Sequence, residues 1–331
     1  MKTTSRTTVS VIIPTYNRSD VVEQTLRHLL AQDFPAEDLE VLVVDNSTDD
    51  TPVMVQRLGV ESGGRIRLVA VTERLPARKR NIGVELAAGD LVLFMNDDVW
   101  LVAGAVGEHV RLHRSSDEPV AVLGHVHQSD QMPPTPFVET YQPFAYAELA
   151  GRHGQVVPWQ YFWSMNLSLP RAEMVQRSLL FHEDWAEIGH EDVELGYRWH
   201  QAGRRLLYTE VASGEHYHPH TLRSACRLQE SIGRGLRDLE VLIPEPGLLE
   251  RYGVLAWGNR PAALARQAVR HALFNRATVP LAIRWLERQP RNTRLTEWMY
   301  WKVLLHHTTR AYHATPPRSP APRPILPSAA A

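Results

Sequence analysis

Two pairs of adjacent acids carry the chemistry that the sequence can offer. Phe94-Met95-Asn96-Asp97-Asp98 is an apolar stretch that ends abruptly in an amide and two carboxylates. Mg²⁺ and Mn²⁺ keep several waters and take one or two carboxylates together with phosphate oxygens, so a short acidic cluster suits a metal held jointly with a diphosphate. Asp and Asn also favour ordinary turns, and the cluster alone does not separate the two readings. Glu191-Asp192 opens a segment of helical periodicity. The free amides and dipole of a helix start keep a carboxylate ionised there, although acids in a first turn also serve simply as caps. Further on, His216, His218 and His220 alternate with other residues. They suit metal ligation, but a zinc site would lack other obvious ligands, and a lone histidine is more often structural.

These residues need elements that bring them together. Val9 to Pro14 is a β-branched apolar run that stops at the polar Thr15-Tyr16-Asn17-Arg18, the pattern of a buried strand ending in a loop. Ser19 can cap a helix whose Val22, Leu26, Leu29 and Leu30 fall at helical spacing, closed by Phe34-Pro35. A second buried strand, 40–44, runs into Asp45-Asn46-Ser47-Thr48-Asp49. A helix over 51–58, a strand over 66–71, a helix over 76–88 and a strand over 90–95 continue the alternation. That order predicts an α/β fold, a mainly parallel sheet with helices on both faces. Ligands bind beyond the carboxyl ends of such strands, where loops 15–18, 45–49 and 96–98 converge.

The spacing then predicts a helix near 101–114, a strand over 119–124, and an aromatic-rich stretch from Pro133 to Trp163 of the kind that forms binding loops. A helix over 190–202, ended by Gly203, and a strand over 204–209 follow. From about Leu222 to Tyr312 the periodicity is helical, and 314–331 is a Pro/Ala-rich segment expected to be disordered.

With 331 residues and 44% hydrophobic content, the chain can bury one large core or a core plus an appendage. Its single cysteine, Cys226, allows neither an internal disulfide nor a cysteine-based zinc cluster, which fits a reducing cytosol. No signal peptide is read at the N-terminus and no apolar run is long enough to cross a bilayer, so a cytoplasmic protein is expected. The formal net charge of -1 hides a segregation. Between Arg251 and Tyr312, ten arginines and one lysine face only Glu287 and Glu297, which leaves the rest of the chain acidic.

Over Val9 to Leu228 the sequence resembles glycosyltransferase family 2. The blocks that carry the resemblance are VSVIIPTYNR at 9–18, VLVVDNSTDDT at 41–51, ARKRNIGVELAAGDLVLFMNDD at 77–98 and GHEDVELGYRWHQAG at 189–203, in that order. The resemblance implies a GT-A type nucleotide-binding fold over 1–228, followed by a helical C-terminal region over 229–313. It also implies an inverting, metal-dependent transfer of a sugar from a nucleotide diphosphate donor to an acceptor hydroxyl. UDP is the nucleotide it favours, ahead of dTDP and GDP, with Mn²⁺ or Mg²⁺ as cofactor.

By the same resemblance, Thr15, Tyr16 and Asn17 line the nucleotide pocket, Asp45 contacts the base, and Arg80 reaches the base or phosphates. Asp98 is the metal ligand. Asn96 stands where the family usually has an acid, to hold the ribose or a metal-bound water, and Asp97 is the middle residue of the motif. The loop after Asp45 has one acid where the family usually has two, which leaves open which residue meets the base. Asp192 is the catalytic base, and Glu191 orients base or acceptor. His216 is the histidine preferred as a metal ligand, with His218 its rival. Trp159, Trp163 and Asn166 fall where the family builds its acceptor pocket, although tryptophans are equally ordinary in a core.

The acceptor stays open between a small molecule, a glycan and a lipid-linked sugar. The arginines and tryptophans of 251–312 (Trp257, Trp285, Trp298, Trp301) suit a membrane surface or an acidic partner. The plainer reading is an appendage whose arginines pair with the acidic catalytic region, within the chain or across a homo-oligomer. No nucleic-acid partner is expected. Two rivals remain. A nucleotidyltransferase would need a glycine-rich phosphate loop, and Val9 to Arg18 contains no glycine. A non-catalytic nucleotide-sugar-binding protein of the same fold is compatible with Asn96 and the shortened Asp45 loop.

Overall fold

The computed structural model describes residues 7–141, 144–185, 187, 189–255 and 261–317. Trp257 and the expected disordered segment from Arg318 onward lie outside the described residues. The elements run in the order β1 (Val9–Thr15), α1 (Ser19–Leu30), β2 (Leu39–Asp45), α2 (Thr51–Glu61), β3 (Ile66–Ala70), α3 (Pro76–Leu86), β4 (Leu91–Met95), β5 (Val99–Leu101) and α4 (Ala105–Ser115). They continue with β6 (Val120–Gln128), α5 (Pro136–Thr140), β7 (Val156–Val157), β8 (Asn166–Pro170), α6 (Arg171–Gln176), α7 (Glu191–Gln201) and β9 (Arg205–His216). The C-terminal part holds α8 (Leu222–Leu242), α9 (Leu248–Arg251), α10 (Pro261–Leu273), α11 (Thr278–Leu286) and α12 (Arg294–Ala314).

Among the described residues nine strands form one sheet, ordered β3-β2-β1-β4-β8-β6-β9-β5, with β7 beside β9. The side from β3 to β4 is parallel throughout. β8 runs against both β4 and β6, β9 is parallel to β6, and β5 and β7 run against β9. Every residue of β4 is buried, as are all but Pro14 in β1, which explains why both read as unbroken apolar runs. α1 buries Val22, Leu26 and Leu29 against the sheet at the spacing of one helix face.

Three expectations are corrected. The helix placed near 101–114 is a short strand, β5, followed by α4, because Val99–Leu101 pairs with the far end of β9. The strand placed at 204–209 continues to His216. The boundary drawn at 228/229 falls inside α8, which caps itself at Thr221 through a reciprocal bond pair with Ser224 and runs unbroken to Leu242. Leu222, Ala225 and Cys226 of α8 pack with Phe274, Ile283, Val303 and Leu304 in a helical cluster. Leu236 and Leu239 of the same helix lie in the main core around the sheet. Gly233 lets α12 close in, since a Cβ there would meet the Thr308 carbonyl oxygen.

Candidate active site

The parallel register sets Thr15 beside Asp45 and aligns Ile12 with Phe94, so the ends of β1, β2 and β4 open on one side of the sheet. The acids after β4 turn inward. Thr15 Oγ1 donates to Asp97 Oδ2 at 2.7 Å. The guanidinium of Arg18 spans both acids, with Nη1 at 2.9 Å from Asp97 and Nη2 at 2.9 Å from Asp98.

The extension of β9 decides what else reaches Asp98. Val99 is in register with His216, which leaves His216 Nε2 3.3 Å from Asp98 Oδ1 and His218 Nδ1 2.8 Å from Asp98 Oδ2. One ligand atom from each of Asp98, His216 and His218 lies within 4.8 Å of the others. Burial alone would push the Asp98 carboxyl up, but His216, His218 and Arg18 hold it well below the usual carboxylate range. Burial and the neighbouring Asp98 charge push Asp97 up to about 6, against the pull of Arg18.

A divalent cation fits this donor set. Asp98 Oδ1 is buried with no hydrogen-bond donor of its own, and two imidazole nitrogens face the same carboxylate. His216 and His218, expected as rivals, both come to Asp98. His220 stacks on His218 at 4.1 Å and stays outside the cluster.

Behind this centre, α3 and α7 meet through Arg80. Its guanidinium is buried and donates Nη1 to Glu191 Oε1 at 3.0 Å and Nη2 to Asn96 Oδ1 at 3.4 Å. Arg80 therefore ties the end of β4 to the start of α7 instead of standing free in the nucleotide loop. Burial would raise the Glu191 carboxyl, but Arg80 brings it below its ordinary value. Asp192 has no such partner. Burial and the Glu191 charge push it up to about 6, while its Oδ2 accepts from the Ser164 amide at 3.2 Å.

The nucleotide-side candidates are tied to one another. Asn17, at φ 54°, accepts at Oδ1 from the Thr48 amide at 2.8 Å, and its own amide donates to Ser47 Oγ at 2.7 Å. Asp45 is buried and accepts from the Ser47 amide at 2.9 Å. Tyr16 is 54% exposed at the mouth of these loops.

The acceptor candidates part company. Trp163 meets Tyr146, Phe144 and Tyr161 edge to face. Trp159 is buried against Tyr197. Asn166 is fully buried inside the sheet, its oxygen facing His109 Nε2 and its amide donating to the Ala212 carbonyl, so its polar atoms are occupied by the fold. A cavity of about 240 Å³ opens instead between His125, His127, Phe144, Tyr146, His216 and His218. The Tyr146 hydroxyl is buried without a partner, and burial, Tyr208 and the Asp192 charge together push its pKa up.

Sequence reasoning passed over Arg18, Lys79 and Tyr146. Lys79 is buried and donates Nζ to the Thr15 carbonyl at 2.5 Å and to Asn46 Oδ1 at 2.6 Å, with burial lowering its pKa. Arg18 and Lys79 were visible as basic residues next to Asn17 and Arg80. Nothing in the spacing marks Tyr146, whose surroundings come from β6 and β9.

Comparison with known proteins follows the same lines. Residues 10–166 match the family model for glycosyl transferase family 2. Validoxylamine A glucosyltransferase of Streptomyces hygroscopicus subsp. jinggangensis (strain 5008) is 31% identical over 267 residues, 72% of this chain and 62% of the relative. Its counterpart in subspecies limoneus matches equally over 58% of its length, so the chain spans about three fifths of these curated relatives. The solved mannosyltransferase PcManGT from Pyrobaculum calidifontis, in complex with GDP-Man and Mn²⁺, superposes with a TM-score of 0.63 at 20% identity, over 94% of this chain and 88% of that one. S. aureus TarS 1–349 with UDP-GlcNAc gives 0.53 at 15% identity, over 93% and 92%. These likenesses establish the GT-A fold. Strand-end loops, the acids after β4 and at the start of α7, and the family match lead to one statement: the chain belongs to glycosyltransferase family 2.

Proposed function

We propose that this chain transfers a sugar from a nucleotide diphosphate donor, UDP-sugar by preference, to an acceptor hydroxyl with inversion at the anomeric carbon. The observation that carries the reading is the meeting of Asp98, His216 and His218 at the carboxyl end of the parallel strands, with Asp192 held nearby through Arg80, Glu191 and Asn96. The donor's base rests among Thr15, Tyr16, Asn17 and Asp45, and its diphosphate faces Asp98, with positive charge supplied by Arg18 and Lys79.

Asp98, His216 and His218 would hold Mn²⁺ or Mg²⁺, and a cation there offsets charge that develops on the departing diphosphate. The acceptor enters through the cavity beside Tyr146 and Trp163. Asp192 takes the proton from its hydroxyl as the oxygen bonds to the anomeric carbon and the bond to the diphosphate breaks on the opposite face. Ser164 orients the Asp192 carboxylate through its amide, and Glu191, fixed by Arg80, keeps that carboxylate basic. The 31% identity to validoxylamine A glucosyltransferase supports a glucosyl donor.

The test is thermal shift with UDP, GDP and dTDP, with Mn²⁺ or with EDTA, on the native chain and on Asp98→Asn. UDP should stabilise the native chain only with metal, and the variant should lose that response. Equal stabilisation by UDP in EDTA would overturn the metal assignment.

A further inference from the structure

α12 exposes two tryptophans that the site above does not use. Trp298 and Trp301 are 45% and 46% exposed. They lie three residues apart, about 4.5 Å along the helix axis and near the width of a sugar ring. With Glu139 and Thr140 after the start of α5, and Asn292, Arg294 and Glu297 around the start of α12, they line an open groove of about 750 Å³. Each indole is propped from behind. Phe274 meets Trp298 edge to face at 5.4 Å, and the Tyr141 ring lies 6.4 Å from that of Trp301. Asn292 donates Nδ2 to the Pro136 carbonyl and to Glu139, which leaves its Oδ1 without a donor.

The chemistry of this lining selects among occupants. The surrounding segment is basic, but in the groove Glu139 and Glu297 offset Arg294 and Lys302, whose Nζ lies 6.0 Å from the Trp298 ring, so phosphates and anionic headgroups gain little net attraction there. A sugar ring meets both halves of the lining. Its C–H face stacks on an indole, and its hydroxyls both donate to carboxylates and accept from a guanidinium. Side-chain contacts link the wall of the groove to the active site. Residue 140 ends α5, the next residue, Tyr141, lies 5.2 Å from the His220 ring, His220 stacks on His218, and His218 bonds Asp98 at 2.8 Å.

We propose that Trp298 and Trp301, with Arg294, Glu297 and Glu139, form a sugar-binding groove that holds the distal part of a glycan acceptor while its reacting end lies at Asp192. The proposal rests on the acceptor entry described above, and it adds a second binding surface made mostly by residues 292–301, which lie beyond the family match at 10–166, with Glu139 contributed from within it.

The full chain is run in native gels cast with dextran, hydroxyethylcellulose or soluble starch, and UDP-glucose hydrolysis with Mn²⁺ is followed in parallel. Retardation by at least one glycan is expected. It should weaken about tenfold in Trp298→Ala and in Trp301→Ala, in line with the loss of one stacking contact. Trp301→Phe, which keeps a ring, should lose less and guards against a folding defect, and hydrolysis should be unchanged in all three. No retardation by any of the glycans, or equal retardation of native and variant chains, overturns the groove. So does Trp298-dependent sedimentation with phosphatidylglycerol vesicles in place of glycan binding. Absent hydrolysis by the native chain with glycan retardation intact would count against the transfer reading and leave the groove standing.

Discussion

The end of β4 and the start of α7 each place two acids side by side, and the two pairs are neutralised in opposite ways. At β4 Arg18, His216 and His218 gather on Asp98 and hold its carboxyl well below the usual range, while burial and the Asp98 charge push Asp97 up to about 6 against Arg18 and the hydrogen bond from Thr15. At α7 Arg80 keeps Glu191 ionised, and Asp192 rises to about 6 with the Ser164 and Val193 amides and the Ser164 hydroxyl donating to its oxygens. The raised acid is buried at β4 and partly exposed at α7. The contrast teaches that, of two raised carboxyls, the one a substrate can still reach is the candidate base.

The largest effect expected is on transfer by Asp192→Asn. Loss of a general base lowers kcat by about 10²–10⁴, and UDP binding with Mn²⁺ should persist. The same variant should melt higher than the native chain at neutral pH. Asp192 has its folded pKa raised, so the proton it prefers is lost above about 6 and its charge then opposes folding. A transfer rate near the native one would remove Asp192 from the mechanism.

Asp98→Asn should act in the reverse sense on stability. It takes from Arg18 one of its two carboxylate partners, and since breaking a fully buried pair costs about 3–5 kcal/mol while Arg18 is part exposed and keeps Asp97, a smaller loss is expected. Differential scanning fluorimetry without metal checks this, and an unchanged melting temperature would contradict the pairing at β4.

Smaller effects sharpen the comparison through pH. With the ionised form of Asp192 as the proposed base, kcat/KM should fall about tenfold per unit once the pH drops below about 6. Glu191→Gln removes the like charge and should move that acid limb to lower pH. A limb that stays in place would assign it to another group. Smallest of all, Thr15→Val removes the hydrogen bond to Asp97, costing about 1 kcal/mol of stability, and should leave the acid limb where it was.

Much of the sheet and of the site was legible because local signals carry it. An apolar strand that stops at Asp97-Asp98, and an acidic helix start at Glu191-Asp192, are visible in a few consecutive residues. What was not legible depends on distant pairing. The choice between His216 and His218 dissolved because β9 runs on to pair with β5, which sets both rings around Asp98. The family resemblance sets Arg80 at the base or phosphates, and its bond to Glu191, 111 residues away, was not to be read from the residues around it. Asn166 opens a strand whose neighbours, β4 and β6, bury it completely, and no property of the stretch around Trp163 announces that. The basic character of 251–312 was plain, yet among its described arginines Arg310 pairs with Glu230 of α8, and Arg270 donates to the Gly253 carbonyl.

The continuity of α8 also limits how this enzyme can be re-engineered. A graft that exchanged everything after residue 228 to change acceptor preference would remove Leu236 and Leu239 from the catalytic core and strip the lid from Leu222 and Cys226 at once. Any replacement module has to bring a helix with apolar residues at those same steps, and a glycine at 233 if it keeps α12 in close approach. Retargeting is then better sought by recombining side chains on a retained scaffold than by trading whole segments.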